Sequence, residues 1–152
     1  DVCSSDLDIT NIDELNNLYL LINFEQGDIT FSKSKILWKD DLEIILNHGL
    51  ITYDNNEISL LGKLIVNASN IDDFYKSFQI KKDDRKKISQ LELDFVYNFN
   101  NNKITFDNVK IDKKSNDELD DFINQHNSND VRFNNKINFK NFVNNFFSNY
   151  AG

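Results

Sequence analysis

The chain has 152 residues, 39% of them hydrophobic and 28% charged, with 13 Phe, no Pro and no Met. This is the size and composition of one globular domain with a real core, not of a disordered segment. The net charge of -8 argues against nucleic acid and against electrostatic docking to an anionic bilayer, and no apolar run approaches the ~20 residues that span a membrane.

The first seven residues, "DVCSSDL", differ in style from the Asn, Lys, Asp, Ile and Phe-rich remainder. GAC GTG TGC TCT TCC GAT CT is a permitted coding for them, and it resembles a common sequencing adapter. Asp1 to Leu7 is therefore read as an adapter-derived scar and excluded from fold reasoning. On this reading the natural chain starts upstream of Asp8. It has no cysteine here, because Cys3 lies in the scar.

Three stretches then share one spacing: "FEQGDITFSKSKI" from Phe24, "YDNNEISLLGKLI" from Tyr53 and "FNNNKITFDNVKI" from Phe99. Each runs aromatic, four turn-like residues, Ile, Thr or Ser, then a large apolar residue. Asn, Asp and Gly tolerate the positive φ of tight hairpin turns. The flanks alternate with period two, as half-buried antiparallel strands do. Leu18, Leu20, Ile22 and Phe24 are expected on one face, as are Leu93, Phe95, Tyr97 and Phe99. Strands are predicted near 18–24, 28–38, 42–53, 57–67, 88–99 and 103–112. Asp40 and Asp41 turn the chain after Trp38, and Gly49 marks a bulge in the third strand.

A helix is predicted near 70–79, where Ser69 and Asp72 form an approximate capping box ahead of Phe74 and Phe78. "KKDDRKK", Lys81 to Lys87, reads as a solvated connector. Ser115 and Glu118 form a full capping box for a second helix, with Leu119, Phe122, Ile123 and His126 on one face. The closing segment is the most periodic: Phe139, Phe142, Val143, Phe146, Phe147 and Tyr150 make an amphipathic stripe opposite Asn and Ser. The predicted fold is mainly β: an antiparallel meander of repeated hairpins forming a curved, groove-like sheet. It spans 8–112 with a short inserted helix, and a two-helix cap follows over 113–152.

Chemistry is sparse. His48 is expected at a turn or bulge. His126 is expected at a helix end, where a cation suits the dipole. Neither has a metal-ligand neighbour at useful spacing. No nucleophile elbow, phosphate loop or dinucleotide fingerprint occurs. Adjacent pairs such as Asp72-Asp73 and Asp120-Asp121 point in different directions on a helix and build no acid/base dyad. The reading is a non-enzyme with no metal and no cofactor. Its distinguishing feature is an apolar sheet face with few helices to cover it. The candidate groove residues are Ile22, Phe24, Ile29, Phe31, Phe95, Tyr97, Ile104 and Phe106.

The repeated hairpins, "FYKSFQI", "LDFVYNFNNNKITFDNVKID" and the closing "NFVNNFFSNYAG" together resemble the C-terminal part of AsmA-like proteins, relatives of TamB, over Asp8 to Gly152. The resemblance implies a protein of the Gram-negative periplasm, held to the inner membrane by an N-terminal helix outside this sequence. It implies a long β-sheet whose apolar face conducts phospholipid and supports outer-membrane assembly, with envelope proteins as partners. It implies no catalytic residues. The departure is size, since a full groove needs more strands. The alternative is a surface or adhesin-type β-module with a closed core. Deleting residues 1–7 is expected to leave the melting temperature unchanged. A drop of several degrees would overturn the scar reading.

Overall fold

The computed structural model describes residues 15–129, 132–133 and 135–152. The proposed scar lies outside them. The described chain is mainly β, a seven-stranded antiparallel open sheet with three helices. The strands are β1 Leu15–Tyr19, β2 Ile22–Glu25, β3 Asp28–Trp38, β4 Leu42–Asp54, β5 Glu57–Ala68, β6 Gln90–Asn98 and β7 Lys103–Ile111. Helix α1, Asp72–Ser77, interrupts the meander after β5, and α2, Asp117–Ser128, and α3, Lys136–Ala151, close it.

The hairpin turns form where the Asn, Asp and Gly quartets place them. Glu25 pairs with Asp28 around Gln26 and Gly27, and Asp54 with Glu57 around Asn55 and Asn56. All four central residues have positive φ, the geometry that matches a two-residue turn to strand twist. Asn side chains then tie neighbouring turns together. The Asn100 carboxamide accepts from the Ile58 amide at 2.8 Å and donates to the Asn56 carbonyl at 3.3 Å.

The predicted strand 18–24 is broken. β1 and β2 pair with different halves of β3, and the chain leaves the ladder at Leu20 and Leu21. The buried Ser34 hydroxyl takes the ladder's place, accepting from the Leu21 amide at 3.0 Å. Leu18, Leu20, Ile22 and Phe24 therefore do not form one uninterrupted strand face. In β4 the register shifts between Leu46 and His48, so the bulge falls just before Gly49 and His48 sits beside it.

Two predicted capping boxes do not form. In α1 no side chain caps at Ile71. Asn70 accepts from the Asp72 amide at 3.1 Å, while Ser69 donates to the Asp41 carbonyl at 3.1 Å and so ties the helix to the β3–β4 turn. In α2 the cap is Asn116, one residue after Ser115, accepting from the Leu119 amide at 2.9 Å. Asn satisfies an orphan helix amide as well as Ser does, and the position of the first helical turn decides which is used. Lys81 to Lys87 is a connector, with one 3-10 turn at Lys82–Asp84.

The last strand's outer edge is closed by α2. The Asn127 carboxamide accepts from the Phe106 amide at 3.0 Å and donates to the Phe106 carbonyl at 2.7 Å, replacing one rung of a ladder. The His126 Nε2–H donates to the Ile104 carbonyl at 3.2 Å, and Lys103 bridges to Arg132 beyond the helix. An uncovered edge pairs with other chains. Asn127→Ala is expected to cost about 1–3 kcal/mol, the penalty of orphaning partly buried polar groups, and to promote self-association. Urea unfolding and sedimentation check both. A variant as stable and monomeric as the parent would show that the edge needs no such cover.

Candidate apolar binding face

The strand registers stack apolar residues in rows across the sheet. Nearest the turns, Phe24, Ile29, Ile51, Leu60, Tyr97 and Ile104 lie in one row, paired in that order from β2 to β7. The next row is Ile22, Phe31, Gly49, Gly62, Phe95 and Phe106. All eight residues singled out from the sequence fall in these two rows. They do not share one environment, however. Phe24 is 73% exposed and Ile22 is exposed, whereas Phe106 is buried beneath the helices. Phe95 and Ile104 are half-buried against the core. The rows thus form an apron that is open at β2 and covered at β7.

Two facing glycines, Gly49 and Gly62, hold the middle of the second row open for the rings beside them. A Cβ on Gly62 would stand 2.8 Å from both Leu46 Cδ1 and Phe95 Cε1, so the Phe95 ring lies over this strand only because nothing projects there. The apolar face continues past the second row through Leu46, Leu64 and Leu93, then Ile44, Val66 and Leu91.

Beyond that point the face is roofed. α1 and α3 lie side by side, with Phe74 edge-on to Phe147 at 6.1 Å and Phe78 edge-on to Phe139 at 5.7 Å. Phe74 also meets Trp38 of β3 at 5.3 Å, and Phe142 stacks on Phe106 of β7 at 5.2 Å. The Asn144 carboxamide donates to the Phe78 carbonyl at 2.9 Å and joins the two helices. The Tyr75 hydroxyl donates to the Lys86 carbonyl at 2.7 Å, and burial pushes its ionisation far above the ordinary range.

Between roof and sheet lies a partly open cavity of about 220 Å³. Leu42, Ile44, Leu64, Val66 and Leu93 are part of its floor, and Phe74, Phe142, Val143 and Phe146 are part of its roof. Its lining is wholly apolar. Among the described residues no buried side-chain nitrogen or oxygen lacks a partner, so no orphan polar group asks for a ligand's hydrogen bond. The predicted α3 stripe does face the protein: Val143, Phe146 and Phe147 are buried, and Phe142 and Tyr150 pack at the core's margin. Of the two helices of the predicted cap, α2 covers the β7 edge and α3 covers the face.

The reverse of the sheet offers a different surface. His48, Lys63, Asp94 and Asp107 form a polar row that borders a cleft of about 680 Å³, with Leu50, Leu61 and Val96 beside them. Its ions are used locally. Lys63 pairs with Glu92 at 3.2 Å, and Asn108 donates to Asp94 at 2.7 Å. The two histidines are on opposite faces. Among the described residues no group of His, Cys, Asp and Glu is placed to hold a metal, and no helix is long and apolar enough to cross a membrane.

No family model, curated protein or solved structure matches the chain.

His126 corrects a further expectation. It does stand in the last turn of α2, but it is buried rather than a solvated cation. Phe106, Phe133 and Phe142 surround its ring at 5.5, 5.6 and 4.8 Å. Burial is the main cause that depresses its pKa, Lys103 adds to the shift, and the Ile104 carbonyl opposes it. The unfolded chain takes this proton near the ordinary 6.5, and the fold takes it only at lower pH. Between those values the unfolded state binds more protons. The contribution is therefore fully present above pH 6.5 and is lost as the pH falls through the folded value. His126→Gln, whose amide can still donate to Ile104, is expected to flatten this limb of the stability profile. An unchanged slope below pH 6.5 in denaturant titrations would refute the assignment.

Proposed function

We propose that this chain is a passive lipid-handling module, which holds an acyl chain against its apolar face while the head group stays in water. One observation carries the reading: the apron of the first two rows runs without a polar interruption towards a cavity that is wholly apolar. A buried CH₂ contributes about 0.8 kcal/mol, so a hydrocarbon chain needs no specific hydrogen bond to be retained. Ligand pockets for whole small molecules span roughly 300–1,000 Å³. The volume of about 220 Å³ thus suits a tail rather than an entire phospholipid, with the remainder lying along Phe31, Phe95 and Tyr97.

This role agrees with the resemblance to AsmA-like envelope proteins. On that reading the module works in the periplasm and belongs to a longer protein anchored in the inner membrane. It passes phospholipid towards the outer membrane, supports outer-membrane assembly and catalyses nothing. The rival is a structural β-module of surface or adhesin type. It has one observation in its favour, the aromatic roof that closes much of the face.

The test begins with protein purified without detergent from a Gram-negative host, then extracted for lipid mass spectrometry. Co-purifying phospholipid is expected, together with saturable uptake of a fluorescent fatty acid. Ala68→Leu adds methyl groups at the cavity wall. It is expected to raise the melting temperature by filling space and to weaken uptake, because both effects draw on the same void. Absence of lipid and of uptake, with an intact fold by circular dichroism, would favour the structural module.

A further inference from the structure

Of the residues that line the cavity, Phe139 alone is exposed, at 39%. Its ring therefore stands between the cavity and solvent. It belongs to the first turn of α3, which is less buried than the rest of that helix. Ile137 beside it is 69% exposed, whereas Val143, Phe146 and Phe147 further along are buried. The seam between α1 and α3 has its polar tie at Asn144, more than a turn beyond Phe139. On the near side of that tie the seam is an edge-on contact of Phe139 with Phe78 at 5.7 Å, backed by one with Phe133 at 5.5 Å. Such contacts are non-directional enough to slide, and a side-chain rotation breaks them without unpairing any backbone group. Asn135, which caps the turn by accepting from the Asn138 amide at 2.8 Å, keeps the helix start intact while the ring swings.

We propose that Phe139 is the gate of the cavity: an apolar chain enters and leaves by displacing its ring from the Phe78–Phe133 seat. The proposal rests on the lipid-handling reading above, and adds which residue sets the exchange rate. A gate has a kinetic signature that a merely structural residue lacks. Removing it speeds entry and exit together and changes the equilibrium little, whereas loss of a binding contact speeds exit alone.

The probe is cis-parinaric acid, a linear fluorescent fatty acid, mixed with the protein in a stopped-flow instrument. Phe139→Ala is expected to raise the association and dissociation rates severalfold, with a smaller change in Kd than in either rate. Phe139→Trp is expected to slow both. Ile137→Ala, in the same turn but outside the cavity lining, is expected to match the parent. If Phe139→Ala does not fold, Phe139→Leu makes the same comparison. Binding with parental rates in every Phe139 variant would overturn the gate and leave the lipid reading standing. Failure of the parent and all variants to bind would overturn both.

Discussion

The rest of the structure depends on a constraint of area. An antiparallel sheet that alternates apolar and polar residues has one face to hide, and three helices of this length cannot cover seven strands. The chain answers by concentrating its helices. α1 and α3 roof the strand ends where Trp38, Leu42, Val66 and Ile111 lie, and α2 seals the β7 edge. The turn end is left with Phe24 and Tyr53 at 73% and 71% exposure. Covered and open regions are thus parts of one continuous face, and the cavity lies where the roof spans the sheet without filling the space beneath it.

Asparagine makes this possible in a chain without proline. Asn55, Asn56, Asn102 and Asn108 all adopt positive φ, which supplies turns and a bulge that glycine would otherwise provide. Unlike glycine, Asn also brings a donor and an acceptor. Asn116 and Asn135 cap helices, Asn127 imitates a strand, and Asn144 joins the roof. These are short-range duties that one residue type fulfils because its amide matches the peptide group in both polarity and reach. The apolar positions are thereby left to Phe, Ile and Leu.

The same economy explains what could be read from the sequence. The hairpins were legible because each repeats an aromatic, a turn quartet and an alternating strand, and that signal is strongest next to the turn. The eight residues it singled out are accordingly the two rows nearest the turns. Farther along, alternation is interrupted. The shift after Leu46 puts an extra residue in β4, so Ile44 falls out of step with Gly49 and Ile51, and the shift opposite Glu92 and Asp94 puts one in β7 between Asp107 and Lys110. The break at Leu20 and Leu21 is hidden because the residues there remain apolar. The α2 N-cap was missed by a residue, since Ser115 and Asn116 adjoin and either type serves, whereas no side chain caps α1 at Ile71. The burial of His126 depends on Phe133 and Phe142 arriving from another segment, which no local pattern encodes.

Burial of that imidazole bears on how cover and edge are coupled. His126 and Asn127 are neighbours on α2, and both bond to β7 backbone, at Ile104 and Phe106. Phe142 of α3 rests on the His126 ring as well as on Phe106. The strand's edge, the second helix and the roof therefore meet in one small cluster. A proton on His126 would place a charge among three phenylalanines while leaving its bond to the Ile104 carbonyl intact. Its cost falls on aromatic packing, not on the ladder. Protonation of His126 therefore acts on the roof and not on the ladder beneath it.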